Sequence, residues 1–116
     1  MALGSLESEI MDVLWAAPEP LTVRETLEGL NVDRIPPLAY TTVLTVMSRL
    51  AEKGALTRTT RGRGHAYAPA AADEAALAVQ GVLRTYGDAA VSRFLDQAAT
   101  DPALRERLQA LLEKDS

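Results

Sequence analysis

The sequence predicts a mainly α-helical protein, with three helices and a two-stranded hairpin in its N-terminal part and further helices after them. Apolar residues recur at helical spacing in six segments, and proline or glycine separates these segments. Residues 55–68 instead indicate two short strands joined by a glycine-containing connector. The 116 residues are 47% apolar and 24% charged with a net charge of −4, which is typical of a folded globular chain.

Capping residues and prolines delimit the first two helices. Ser5 is a suitable N-cap for a helix that ends near Ala17, because Pro18 cannot continue it. Residues 22–25, Thr-Val-Arg-Glu, form a capping box that opens a short second helix, which ends near Leu30. The apolar stripes of the two helices comprise Leu6, Ile10, Val13 and Leu14 in the first and Val23, Leu27 and Leu30 in the second.

The third helix, residues 39–53, follows a loop over residues 31–38. Its apolar stripe consists of Val43, Val46, Met47 and Leu50, and Gly54 is the expected C-terminal stop. At about 100° per residue, the surface opposite the stripe consists of Thr41, Thr45 and Ser48, with Thr42 and Arg49 on one flank and Leu44 on the other. This surface is therefore rich in small hydroxyl groups.

The hairpin coincides with a basic segment. Strands over 55–59 and 65–68 flank the connector Arg61-Gly62-Arg63-Gly64, and Pro69 ends the second strand. Residues 41–68 carry five basic side chains and one acidic side chain, a net charge of +4, whereas residues 1–40 and 69–116 carry −5 and −3. One basic segment in an acidic protein is compatible with binding nucleic acid through one face. From charge alone, a solvated loop with arginines is the alternative.

Three more helices are predicted after residue 70. The first carries Leu77, Val82, Leu83 and Tyr86 and stops at Gly87; the second starts from an Asp88 cap and carries Val91, Phe94, Leu95 and Ala98; the third opens with Asp101-Pro102 and carries Leu104, Leu108, Leu111 and Leu112. We therefore predict two parts, an N-terminal domain over residues 1–70 and a C-terminal helical region over residues 71–116.

The C-terminal region is predicted to dimerise. Residues 73–116 are close to the limit of ~40 residues below which a domain rarely buries enough apolar surface alone. Their apolar stripes therefore require a second copy of the chain, or the chain's own N-terminal domain, to pack against. The candidate dimerisation residues are Leu83, Phe94, Leu95, Leu104, Leu108, Leu111 and Leu112.

Composition argues against several classes of protein. The chain has no cysteine and a single histidine, His65, so disulfide scaffolds, cysteine nucleophiles and the usual zinc sites are excluded. It has no apolar run of ~18–20 residues and no secretory leader, so we expect a cytoplasmic protein without membrane insertion. We expect neither enzymatic activity nor a cofactor, and His65 is expected to be an exposed strand residue.

The order of three helices and a hairpin is that of a winged helix-turn-helix, in which the third helix enters the DNA major groove and the hairpin contacts the neighbouring backbone. Hydroxyl groups can bond bases or phosphates, and arginines at the hairpin tip neutralise phosphates. The predicted DNA-binding residues are Thr41, Thr42, Thr45, Ser48, Arg49, Arg61 and Arg63. A winged-helix module for protein contacts, which does not need these arginines, and a ligand-binding regulator are the alternatives.

Several motifs in unbroken order also resemble a known family. They are Leu6-Glu7 through Leu14-Trp15, Leu21-Thr22-Val23-Arg24-Glu25, Tyr40-Thr41-Thr42-Val43-Leu44-Thr45-Val46, Arg49-Leu50, Lys53-Gly54, Gly62-Arg63 and Tyr67 to Pro69. Over about residues 4–112 the chain resembles the BlaI/MecI penicillinase-repressor family. This resemblance implies a homodimeric winged-helix repressor that binds a dyad-symmetric operator and controls genes such as those for antibiotic resistance.

The same resemblance implies how repression ends. In this family a membrane-bound metallopeptidase sensor, or a protease downstream of it, inactivates the repressor by cleavage. The Arg93-Phe94 bond stands where the staphylococcal members have an Asn-Phe bond, in the penultimate helix. Release by a direct ligand is the alternative.

Overall fold

The computed structural model describes residues 3–115 and has the predicted mainly helical, winged helix-turn-helix fold. The elements are α1 (Ser5–Ala16), α2 (Val23–Asn31), α3 (Tyr40–Glu52), β1 (Leu56–Arg61), β2 (Gly64–Pro69), α4 (Glu74–Tyr86), α5 (Asp88–Thr100) and α6 (Pro102–Lys114). They form two compact units, one ending at Ala78 and the other beginning at Val79. The functional division at residue 70 remains a prediction.

The core of the first unit is built by α1, α2, α3 and the hairpin. Its buried residues are Ile10, Met11, Leu14, Val23, Val43, Met47, Leu50, Ala55, Leu56 and Tyr67, with Leu77 from the first turns of α4. Leu27 and Leu30, which were expected to be buried, are only partly covered and pack against this core from its edge. Thr26 takes a fully buried place in α2 because its hydroxyl donates a hydrogen bond to the Thr22 carbonyl oxygen at 2.9 Å.

The predicted capping box of α2 is confirmed. The Glu25 backbone N–H donates to the Thr22 hydroxyl at 3.1 Å, and the Thr22 backbone N–H donates to Glu25 Oε1 at 2.9 Å. Asp101 likewise caps α6, because its carboxylate accepts a bond from the Leu104 backbone N–H at 3.2 Å. These contacts fix where each helix begins.

Two predicted caps are wrong by one residue. The N-cap of α1 is Gly4 rather than Ser5, because the Glu7 carboxylate accepts a bond from the Gly4 backbone N–H at 2.9 Å and the helix starts one position earlier. The N-cap of α5 is Gly87 rather than Asp88. Gly87 also receives the end of α4, where its N–H donates to the Leu83 carbonyl oxygen at 2.8 Å, so a single residue separates the two helices.

The hairpin strands are longer than predicted, and the connector is shorter. Arg61 is the last residue of β1 and pairs with Gly64, the first residue of β2, so the turn consists of Gly62 and Arg63 alone. Gly62 has a φ of 62°, which a residue with a side chain rarely adopts, and glycine at the first turn position is typical of a type II′ hairpin. The sequence pattern predicts shorter strands because Arg61 to Gly64 match a glycine-containing connector, whereas cross-strand pairing extends both strands through Arg61 and Gly64.

The base of the hairpin is tied to the segment between α1 and α2. Leu21 and Tyr67 exchange two backbone hydrogen bonds, of 2.9 and 2.8 Å. Near the same end of the unit, the Trp15 indole N–H donates to the Ala71 carbonyl oxygen at 2.9 Å. The C-terminal end of β2 and the residues that follow it are therefore held to α1 and to the segment between α1 and α2, at the end of the hairpin opposite its turn.

The second unit consists of α5, α6 and the part of α4 from Val79 onward. α5 packs against α6, and Ala98 is buried. Within residues 3–115, no helix is both long enough and apolar enough to cross a lipid bilayer.

Candidate nucleic-acid interface

Helix α3 presents the surface that its sequence predicts. Val43, Met47 and Leu50 are fully buried, whereas Thr41, Thr42, Thr45 and Arg49 are exposed and Ser48 is partly exposed. The hydroxyl surface is therefore free to meet a ligand while the apolar stripe holds the helix in place. Contact between these side chains and DNA remains a prediction.

The Thr45 hydroxyl is already a hydrogen-bond donor within α3. It donates to the Thr41 carbonyl oxygen at 2.8 Å, one turn earlier in α3. A hydroxyl has one donor and two acceptor positions, so Thr45 keeps acceptor capacity toward solvent. In this arrangement it suits a partner that offers an N–H group, such as the amino group of adenine or cytosine in the major groove.

The N-terminus of α3 is electrostatically open. Its N-cap, Ala39, has no side chain that can cap the helix, and the first turn contains no acidic residue. The partial positive charge of the helix end is therefore not neutralised locally, which favours the approach of an anion such as phosphate.

A pair formed by one cationic and one aromatic side chain lies beside this helix end, and no sequence motif predicts it. The Arg24 guanidinium stands 5.5 Å from the centre of the Tyr40 ring, which is a cation–π distance. Arg24 lies in the first turn of α2 and Tyr40 is the first residue of α3. The basic and aromatic letters were visible in the sequence, but only the packing of α2 on α3 makes them neighbours.

A cleft between α2, α3 and the hairpin includes one residue of the predicted site. We call it the wing cleft; it is lined by Thr22, Val23, Arg24, Tyr40, Leu44, Arg61, Gly64, His65 and Tyr67. Of the predicted DNA-binding residues, Arg61 alone lies on its wall. His65 is exposed, as predicted, and lies on the same wall.

The two predicted DNA-binding arginines of the hairpin, Arg61 and Arg63, differ in their surroundings. Arg63, in the turn, is exposed and has no ion pair with any residue of the described range 3–115. Arg61 is paired: its Nη1 donates to Glu25 Oε1 at 2.8 Å, and both side chains remain partly exposed. Lys53 is also paired, with Glu7 of α1 at 3.5 Å. Arg63 is therefore more available to a ligand than Arg61.

Glu25 is held in its charged form. The pKa of its carboxyl lies below the usual value, first because the Thr22 backbone N–H donates to it and further because the Arg61 guanidinium lies beside it; these effects outweigh desolvation, which raises the pKa. At neutral pH the N-terminus of α2 therefore carries a carboxylate next to the hairpin.

The second unit exposes a large amount of apolar surface in the single chain. Of the predicted dimerisation residues, Leu104 and Leu108 are partly buried, and the others are exposed. The exposed ones are Leu83, Phe94, Leu95, Leu111 and Leu112, and Val79, Val82, Tyr86 and Val91 add to them. Scattered apolar residues are ordinary on a surface, but this concentration on three short helices is typical of an interaction surface.

The Arg93-Phe94 bond lies inside α5, between Asp88 and Thr100. The Arg93 guanidinium pairs with the Asp96 carboxylate at 3.1 Å, and the Phe94 side chain is 47% exposed. The bond is therefore in regular helix, with its side chains accessible in the single chain. Its role as a cleavage site remains a prediction.

Comparison with known proteins shows the family to which the chain is related. The family model described as "Penicillinase repressor" matches residues 3–114. Two strains of Mycobacterium tuberculosis have a transcriptional regulator BlaI that is 49% identical over 67 residues, which are 58% of this chain and 47% of the relative, so the match spans about half the length of these relatives. The solution structure of the monomeric form of Bacillus licheniformis BlaI in complex with the blaP half-operator matches 65% of this chain and 87% of that chain, with 28% identity and a TM-score of 0.52. The family match covers nearly the whole sequence, and the chain therefore belongs to the penicillinase repressor family.

Proposed function

We propose that this protein is a transcriptional repressor that binds a dyad-symmetric operator in promoter DNA as a homodimer, in the cytoplasm. The architecture of the first unit carries the proposal. A buried apolar stripe holds α3 in place and leaves the hydroxyl surface of α3 exposed. The uncapped N-terminus of α3 and the basic hairpin lie beside that surface. The resemblance to a BlaI protein bound to a half-operator supports the same mode of binding here.

The side chains divide naturally into those that read bases and those that position the protein. Thr41, Thr42, Thr45, Ser48 and Arg49 project from α3, the helix that enters the major groove in this fold. Arg61 and Arg63 on the hairpin, together with Arg24 beside Tyr40, are suited to phosphates. The alternative, a protein-interaction module, gives no reason for the arginines of the hairpin.

The exposed apolar surface of the second unit supports the proposal of a dimer. A two-fold symmetric dimer matches a palindromic site. It also doubles the protein surface in contact with DNA, since a single winged-helix module buries only roughly 600–1,000 Å². Members of this family commonly control genes for β-lactam resistance or for a membrane-bound metallopeptidase sensor, and we propose a target of this class here.

Selection of bound sequences from a random pool of double-stranded DNA tests this function. The purified full chain is expected to enrich a palindromic consensus with two half-sites. The absence of any enriched sequence, with the protein folded, would favour the protein-interaction module instead.

A mutational prediction separates base reading from phosphate positioning. Thr45→Ala and Arg49→Ala are each expected to weaken binding to the selected site by about 1–3 kcal/mol, with a much smaller effect on random DNA, if each side chain contacts a base. Both residues are exposed, so neither substitution is expected to unfold the protein. Fluorescence anisotropy with the two DNA ligands measures the difference, and equal losses on both would assign a phosphate contact.

We further propose that repression ends by cleavage within α5 at Arg93-Phe94, carried out by a membrane-bound metallopeptidase sensor or by a protease downstream of it. The cut separates α6 and much of α5 from the chain, which removes part of the apolar surface and weakens the dimer. Protein that has lost its partner loses one of two tethered half-site contacts. Mass spectrometry of the protein from induced cells decides: an intact chain that has left its operator would contradict cleavage and favour release by a direct ligand.

A further inference from the structure

The Glu25 carboxylate serves two parts of the fold with one oxygen atom. Oε1 accepts a bond from the Thr22 backbone N–H at 2.9 Å and another from Arg61 Nη1 at 2.8 Å. The first bond closes the capping box of α2, and the second crosses from α2 to the last residue of β1. The cap requires only an acceptor at this position, because glutamine closes the same box as glutamate. The negative charge of Glu25 is therefore not needed to close the capping box.

That charge has an effect on the proposed DNA surface. Arg61 lines the wing cleft, next to Arg24, Tyr40 and the start of α3. A carboxylate 2.8 Å from the Arg61 guanidinium cancels most of the field that this arginine presents to a phosphate. The hairpin therefore offers less attraction to DNA than its arginines suggest.

We propose that Glu25 acts as a restraint on DNA affinity: by pairing with Arg61 it lowers the binding of all DNA sequences and reduces the salt dependence of binding. This inference rests on the proposed function, since it concerns the strength of the same protein–DNA contact. It assigns to Glu25 a role that is separate from its role in the helix cap.

The Glu25–Arg61 ion pair also helps to orient the hairpin, but this effect is weaker than its effect on the charge presented to DNA. Both partners are substantially exposed, with 53% of the Arg61 side chain and 41% of the Glu25 side chain accessible, and exposed ion pairs add little stability. The hairpin is already anchored at its base by the backbone bonds between Leu21 and Tyr67. The electrostatic effect, in contrast, acts on every phosphate within about 8 Å at physiological salt.

The test is Glu25→Gln in the full chain. Glutamine keeps an acceptor for the Thr22 N–H and has nearly the same shape, so the capping box is retained while the charge is removed. The slope of log K against log salt is expected to become steeper by about 0.9 for each protomer engaged, which corresponds to roughly eightfold tighter binding at 0.1 M salt. The gain is expected on the selected site and on random DNA alike.

Glu28→Gln is the matched control. Glu28 lies three residues later in α2, is exposed, and has no ion pair within residues 3–115, so its replacement removes the same charge without touching Arg61. A much smaller change is expected for this variant. Unchanged or weaker binding of Glu25→Gln, or an equal gain from Glu28→Gln, would overturn the proposal. If the unmodified chain bound no DNA at all, the proposed function itself would fail, and that result is distinct from the others.

Discussion

Replacing Leu112 with aspartate is expected to convert the protein to a monomer and to reduce its affinity for a two-half-site operator by about 10²–10⁴-fold. The loss follows because the second half-site contact is no longer tethered to the first. Leu112 is 63% exposed in the single chain, so the new charge does not disturb the packing of its own unit. In the proposed dimer the same charge would be buried without a partner, which is strongly unfavourable.

Sedimentation velocity and titration of operator DNA measure the two effects separately. Ala110→Asp is the matched control, because Ala110 is exposed on α6 and lies outside the leucine stripe, and it is expected to leave both properties unchanged. Leu108 is a poorer choice than Leu112, since it is partly buried within the single chain and its replacement could unfold the second unit. A Leu112→Asp protein that stays dimeric would place the interface elsewhere.

Loss of Arg61 and Arg63 from the hairpin is the second large effect. Arg61→Ala combined with Arg63→Ala is expected to lower the salt slope of DNA binding by about 0.9 per protomer, or roughly eightfold in affinity at 0.1 M salt, because Glu25 already offsets most of the charge of Arg61. The loss is expected on all DNA sequences, because phosphate contacts carry no sequence information. Titrations at four or five salt concentrations give the slope directly.

The corresponding lysine variant is the control for this experiment. Arg61→Lys with Arg63→Lys keeps both charges, so its salt slope is expected to stay near that of the unmodified chain even if the geometry of the contacts changes. A slope that does not fall in the double alanine variant would remove the hairpin from the DNA interface. A loss confined to the selected site would show that the hairpin reads bases instead.

Local interactions explain why much of the fold was predictable. The Thr22–Glu25 box, the Asp101 cap and the stripe of Val43, Met47 and Leu50 depend on residues three to seven positions apart, so their pattern is visible in the sequence. The one-residue errors at Gly4 and Gly87 arose where glycine, which has no side chain to form a cap, precedes a better capping residue.

The parts of the site that were missed depend on residues far apart in the chain. Glu25 and Arg61 are 36 positions apart, and Arg24 meets Tyr40 only because α2 packs on α3. Arg61 was expected in a loop, and the pairing of β1 with β2 placed it in a strand instead. No local pattern in the sequence reports such neighbours, since they are set by the packing of the core.

Trp15 is the only tryptophan of the chain, and its hydrogen bond to the Ala71 carbonyl oxygen lies entirely within the first compact unit. Its fluorescence therefore reports on the unfolding of that unit. The unfolding of α5 and α6 changes the helical circular dichroism instead, because these two helices contain no tryptophan. A denaturant titration followed by both signals resolves the stabilities of the two units in the unmodified protein. No dye and no engineered residue is needed, because the chain carries its own label in one unit alone.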